Sequence, residues 1–289
     1  MEHPGSTGHR HQLVPAALTA ASAVAALVLA TFGSGAFGGT AVQDAAGGYL
    51  SATATPVSPA APAFSIWSVV YAGILGYAVW QLFPAARGSG RQRAVRPWAA
   101  ASMLLNAGWL WAAQVAEPSL ALPATMGVML VLLAVLCRLF ALHLSMPAAS
   151  RAERILSDGT FGLYLGWICV ATVANAAALL GFLLGARPGD ASPSLPAGLA
   201  AGTAAIVVLA VAAGIGVALA ATRRWAPLLA MAWGLGWIAT ARLAGPLTMP
   251  EVGLAAAAAA AVVLASGLTV RLRSGRRSPL RRGSREAHA

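Results

Sequence analysis

The sequence predicts an all-α, polytopic integral membrane bundle, and three observations carry the prediction. Hydrophobic residues make up 58% of the 289-residue chain and charged residues 9%, against roughly 25% charged in soluble domains. Apolar runs of about 20 residues, the length that carries a helix across a bilayer, recur about eight times. All nineteen basic side chains are arginine, and they flank the apolar runs instead of lining a soluble face. The net charge of +11 therefore points to membrane topology, and nucleic acid is excluded as a partner.

The predicted helices are 12–33, 64–84, 98–116, 120–143, 159–184, 199–221, 226–243 and 252–270. The first follows a short basic segment and precedes Gly33, Ser34, Gly35 and Ala36, as a secretory signal would, but its apolar core exceeds the usual 7–15 residues. A retained helix is expected. Residues 34–63, with Pro56, Pro59 and Pro62 before the second helix, read as a connector, a lid over a pocket being the alternative. Residues 185–198, with Pro188, Pro193 and Pro196, read as a linker. The expected organisation is a five-helix bundle over 1–184, that linker, a three-helix extension over 199–270 and a basic tail over 271–289. The extension is alanine-rich, as in the run Ala255–Ala261.

Placing both termini in the cytoplasm puts seventeen of the nineteen arginines on the inner side, with only Arg187 and Arg242 outside. This is the bias of a multi-pass cell-membrane protein. Cys137 and Cys169 fall inside predicted helices and read as small apolar filler.

The only two asparagines, Asn106 and Asn175, lie in long apolar runs beside tryptophans. A carboxamide in hydrocarbon is tolerated where it bonds a neighbouring helix or a bound molecule. On the residues alone, helix-to-helix bonding and ligand contact are equally good readings. In the fifth helix Tyr164, Trp167, Ala171 and Asn175 fall within an arc of about 80°. In the third, Asn106 and Trp109 share a face, as do Trp67 and Tyr71 in the second. Trp109 lies about 16 Å along its helix from Trp98, and Ala171 about 15 Å from Phe161, so the two positions are level. A small residue opposite an indole leaves a slot for a flat aromatic guest. Trp80, Trp98 and Trp225 read as interfacial anchors, and His143 and Gln114 as helix-end residues at the interfaces.

These residues resemble a known family. Ser65–Tyr71 continuing to Trp80, then Leu104–Trp109, then Tyr164–Trp167 followed by Ala171, Thr172 and Asn175, resemble in order the second-, third- and fifth-helix motifs of the TspO/MBR family. These are the tryptophan-rich sensory proteins related to the mitochondrial translocator protein. The resemblance covers about 12–184. It implies a TspO-like five-helix core, a pocket for porphyrins, haem-like tetrapyrroles or other flat hydrophobic molecules, a covering loop between the first two helices, and homodimers. Its ligand-binding residues would be Trp67, Tyr71, Asn106, Trp109, Trp167, Ala171 and Asn175. The covering loop lacks the family's tryptophan, Ala174 stands where leucine is usual, and no tyrosine and basic residue follow Asn175, so sterol binding is not implied.

Three functions are thus weighed. A receptor, sensor or carrier for a flat hydrophobic ligand fits best. An ion-coupled transporter is disfavoured because all eight acidic residues lie in predicted loops or termini, away from where coupling carboxylates sit. An interaction protein would use its seven tail arginines on anionic lipid or an acidic partner. Enzymatic activity is not expected: no nucleophile–base pair, metal-ligand spacing or phosphate loop is present, and no cofactor is required beyond a tetrapyrrole-like ligand.

Overall fold

The computed structural model describes residues 6–33, 40–189 and 201–276. Eight long helices account for most of them: α1 (Ser6–Gly33), α2 (Ile66–Gln81), α3 (Gly90–Ala113), α4 (Pro118–Ser145), α5 (Thr160–Leu183), α6 (Ala201–Ala220), α7 (Trp225–Ala244) and α8 (Pro250–Arg276). Among the described residues there is no strand. The linker from 190 to 198 and the tail beyond 276 lie outside the described residues. Six helices are long and apolar enough to cross a membrane by length and composition. The other two, α3 and α7, are diluted by Arg91, Arg93 and Arg96 and by Arg242, yet each packs lengthwise between apolar neighbours, α3 between α1 and α4, and α7 between α5 and α8.

Helices α1 to α5 form a ring in which α1 touches α2 and α3, α4 bridges α3 and α5, and α5 returns to α2. Its core holds Val70, Ile74, Tyr77, Met103, Leu132, Leu136, Phe161, Tyr164, Trp167 and Ile168. The second block packs against the first. Helix α7 docks on α5, α8 docks on α7, and α6 lies against α8, with Val170 of α5 inside the second core among Leu209, Met231, Leu235 and Val252.

Small residues allow the close approach, as they do where hydrophobicity cannot drive helices together. Gly162 and Gly166, four apart on α5, face Ala226 and Pro227 of α7, and Gly234 of α7 faces Val170. Gly73 of α2 receives Thr160 of α5 in the same way, and Gly216 of α6 receives Val263 of α8.

Helix α3 begins eight residues before its predicted start at 98. Ser89 caps it, its Oγ accepting from the Gln92 N–H at 3.2 Å, and two of the arginines between the second and third predicted helices, Arg91 and Arg96, are drawn inward by partners. Arg91 pairs with Glu153 at 3.1 Å and with Asp158. Arg96 donates to Gln81 Oε1 and to the Ala86 carbonyl, each at 2.7 Å. Glu153 and Asp158, read as loop carboxylates, are buried too. A capped turn at Ser150–Glu153 and a π-helical turn, Arg154–Gly159, lead into α5 and turn both inward. Arg224, just before α7, closes the cluster on Asp158 at 2.9 Å, joining the two blocks at this arginine-rich end.

His143 is likewise no interfacial residue. It is 1% exposed, its Nε2 lies 3.0 Å from Ser157 Oγ, and its carbonyl accepts from Arg224. The π-helical turn places Ser157 beneath the end of α4, which removes the imidazole from solvent.

Candidate ligand cavity

At the opposite end, the segment between α1 and α2 folds over the ring. Three short 3₁₀ turns, Val42–Asp44, Ala46–Gly48 and Ala61–Ser65, give the described part, 40–65, a fixed course. It is a roof, and the connector reading is corrected; residues 34–39 lie outside the described residues. Gln114, read as a helix-end residue, ties the roof to α3: its Oε1 accepts from the Thr40 N–H at 3.1 Å, and its Nε2 donates to the carbonyls of Thr40 and Gly33. Tyr49 donates from its hydroxyl to the Ala186 carbonyl at 2.7 Å and meets Phe182 edge-on.

Beneath the roof lie two adjoining cavities. The inner one, about 60 Å³, is bounded by Trp67, Asn106, Trp109, Trp167, Ala171 and Asn175, with Met129 and Leu132 of α4 below. The outer one, about 520 Å³, is bounded by Trp67, Tyr71, Asn106 and Trp109, by Ala30 and Thr31 of α1, and by roof residues including Gln43, Leu50 and Phe64. All seven sequence-predicted positions therefore border one cavity or both, and Trp67, Asn106 and Trp109 form the partition.

The polar groups converge as well. Both carboxamides are buried, Asn106 at 5% exposure and Asn175 at 7%. Asn106 Nδ2 donates to the Tyr71 hydroxyl at 3.1 Å, and Trp109 Nε1 donates to Asn175 Oδ1 at 3.3 Å. Each asparagine thus bonds an aromatic group of another helix of the ring at the cavity wall. The Trp67 and Tyr71 rings stack at 5.2 Å with an interplanar angle of 27°, and Tyr164 packs edge-on against Trp67. Tyr164 is fully buried, and its hydroxyl donates to the Ser102 carbonyl at 3.0 Å. It supports the wall from below.

One geometric expectation changes. Trp109 and Ala171 border the same space, but the inner cavity they line, about 60 Å³, holds only a few waters' worth of volume at roughly 10–15 Å³ each. The Trp109–Asn175 bond keeps the indole there. The outer cavity, within the roughly 300–1,000 Å³ of small-molecule sites, is where a ring system has room. Sequence reading also missed the contributions of α1 and of Met129 and Leu132, and gave a covering loop without naming which of its residues border the cavities. These residues are mostly small or apolar types without a motif, so only the course of the chain brings them in. Among the described residues, no group of three or more His, Cys, Asp or Glu side chains could hold a metal ion.

A family profile described as TSPO-like protein matches residues 16–269. The chain belongs to the TSPO-like family. The match to the TSPO-like profile runs well past the three motifs and takes in α6, α7 and most of α8, so the last block lies within the family's span. No curated protein and no solved structure matches the chain. Membership makes this a multi-pass membrane protein with TSPO-like helices.

Proposed function

We propose that this TSPO-like protein is a membrane receptor, sensor or carrier that takes a flat hydrophobic molecule of the tetrapyrrole class under the 40–65 roof. The observation that carries the reading is the meeting of Trp67, Tyr71, Asn106 and Trp109 around a cavity of about 520 Å³. Indole and phenol faces offer stacking to a planar ring. The Asn106 amide and the Tyr71 hydroxyl, both on that cavity, offer directional bonds to its polar edge. The inner cavity gives such a guest somewhere to extend if Trp109 swings off Asn175. In this reading the arginine-rich end, with both termini, faces the cytoplasm.

The test is titration of the purified full-length protein with a metal-free porphyrin, following quenching of tryptophan fluorescence. Replacing Trp67, Asn106 and Trp109, all on the outer cavity, together by alanine should abolish saturable binding, with wild-type helicity retained by circular dichroism. Because the variant also loses two of the nine tryptophans, porphyrin absorbance is followed in parallel. Unchanged affinity in a folded triple variant removes the proposal's support.

A further inference from the structure

The roof is fastened from behind by the second block. Arg242, in the last turn of α7, is 1% exposed, and its Nη2 donates to the Ala52 carbonyl at 2.7 Å and to the Ser58 carbonyl at 3.5 Å. Among the described residues its guanidinium forms no ion pair, and its Nε and Nη1 have no hydrogen-bond partner. Burying a cation without a counter-charge is costly, so a packing role alone would be met better by leucine or methionine.

Two further bonds run from the same helix to the same stretch. Trp233 Nε1 donates to the Ala63 carbonyl at 2.9 Å, and the Trp237 carbonyl accepts from the Ala60 N–H at 3.2 Å. Val57 sits in the core that α6, α7 and α8 share. The stretch 52–63 therefore has its back against α7, while Ala52, Ser58, Pro59 and Ala61 on its front border the two cavities.

We infer that α7 is the latch of the roof and that Arg242 is a positioning residue for the cavity, holding the turns at Ala52 and Ser58 closed over it. The second block then sets how readily the roof opens, which gives the alanine-rich helices a part in controlling the site. The consequence for ligand release rests on the function proposed above; the consequence for the roof itself does not.

The experiment uses the full chain in detergent micelles, with Arg242→Met, Arg242→Lys and Trp233→Phe. Methionine keeps the apolar stem and deletes the donors, and phenylalanine keeps a ring and deletes only the Nε1 donor. Hydrogen exchange is read without ligand over peptides from 50–63, with peptides from α3 and α4 as internal reference, and release of a metal-free porphyrin is read by stopped-flow. Loss of a charge-assisted bond should raise exchange and release about tenfold in Arg242→Met. The increase should be smaller in Trp233→Phe, with lysine between wild type and methionine.

Exchange confined to 50–63 supports the latch. Unchanged exchange there in both donor-deleting variants overturns it, as does an equal rise in α3 and α4, which would mean general loosening. Faster exchange with unchanged porphyrin release overturns the coupling to the cavity. If porphyrin fails to bind even the wild type, the proposed function falls, and the exchange data still decide the latch.

Discussion

Gly166 gives a sharp test of how the two blocks meet. A Cβ built there would stand 2.8 Å from the carbonyl carbon of Pro227 and 2.9 Å from its Cα, and closer still to the carbonyl oxygen. Ordinary contact begins at 3.4 Å, a shortfall of about 0.6 Å at the carbonyl carbon and more at its oxygen, so Gly166→Ala must push α5 and α7 apart by more than that, and backbone cannot rotate aside as a side chain can. Overpacking of this kind costs about 1–3 kcal/mol, more than the roughly 0.5–1 kcal/mol that alanine gains over glycine inside a helix. Gly108, on the exposed side of α3 with nothing near its Cβ position, is the control, and Gly108→Ala should be neutral or slightly stabilising. Thermal unfolding in one detergent, followed by circular dichroism, compares the two. If Gly166→Ala melts with or above Gly108→Ala, the helices do not approach at this point and the docking of α7 on α5 is wrong.

Three other outcomes follow from the same packing. Asp158→Asn leaves Arg224 and one arm of the buried Arg91 facing a neutral amide while Glu153 still pairs Arg91, so stability should fall by about 2–3 kcal/mol. Arg224→Gln, at a side chain 29% exposed, should cost far less, because water screens and replaces that pair; equal losses would deny the cluster its buried character. Tyr71→Phe deletes the acceptor of the Asn106 bond and should cost about 1 kcal/mol or less, read as a small shift in melting temperature. Asn175→Ala releases the Trp109 indole, so the tryptophan emission maximum should shift while helicity stays constant; an identical spectrum would show that the Trp109–Asn175 bond is not populated.

Much of the fold was readable because a bilayer leaves backbone few choices. The eight apolar runs coincide with α1 to α8, and helical spacing alone put Trp167, Ala171 and Asn175 on the cavity side of α5. What failed was reading charge as solvent exposure. Arg91, Arg96, Glu153 and Asp158 looked like loop residues because each alone is polar, whereas together they neutralise and bond one another inside the bundle. The pattern Ser150-Arg151-Ala152-Glu153 was a legible helix-start signal, and it would have moved both carboxylates out of a loop. Gly162 and Gly166 formed a small-xxx-small pair that announced close docking of another helix on α5. The roof was harder to read. Its residues are mostly Ala, Ser, Thr, Pro and Gly with no period, and its course is fixed by distant partners, Gln114, Ala186 and Arg242, that no local pattern connects.

The claim on which the functional account stands is that the space under the roof selects planar rings and not hydrophobic molecules in general. Parallel titrations of the purified protein with a metal-free porphyrin and with a non-planar hydrophobe of similar size and polarity measure that directly. The account predicts saturable, one-site binding of the porphyrin and at least about tenfold weaker binding of the non-planar compound, a difference of about 1.4 kcal/mol. Equal affinities, or non-saturating uptake of both, would contradict it.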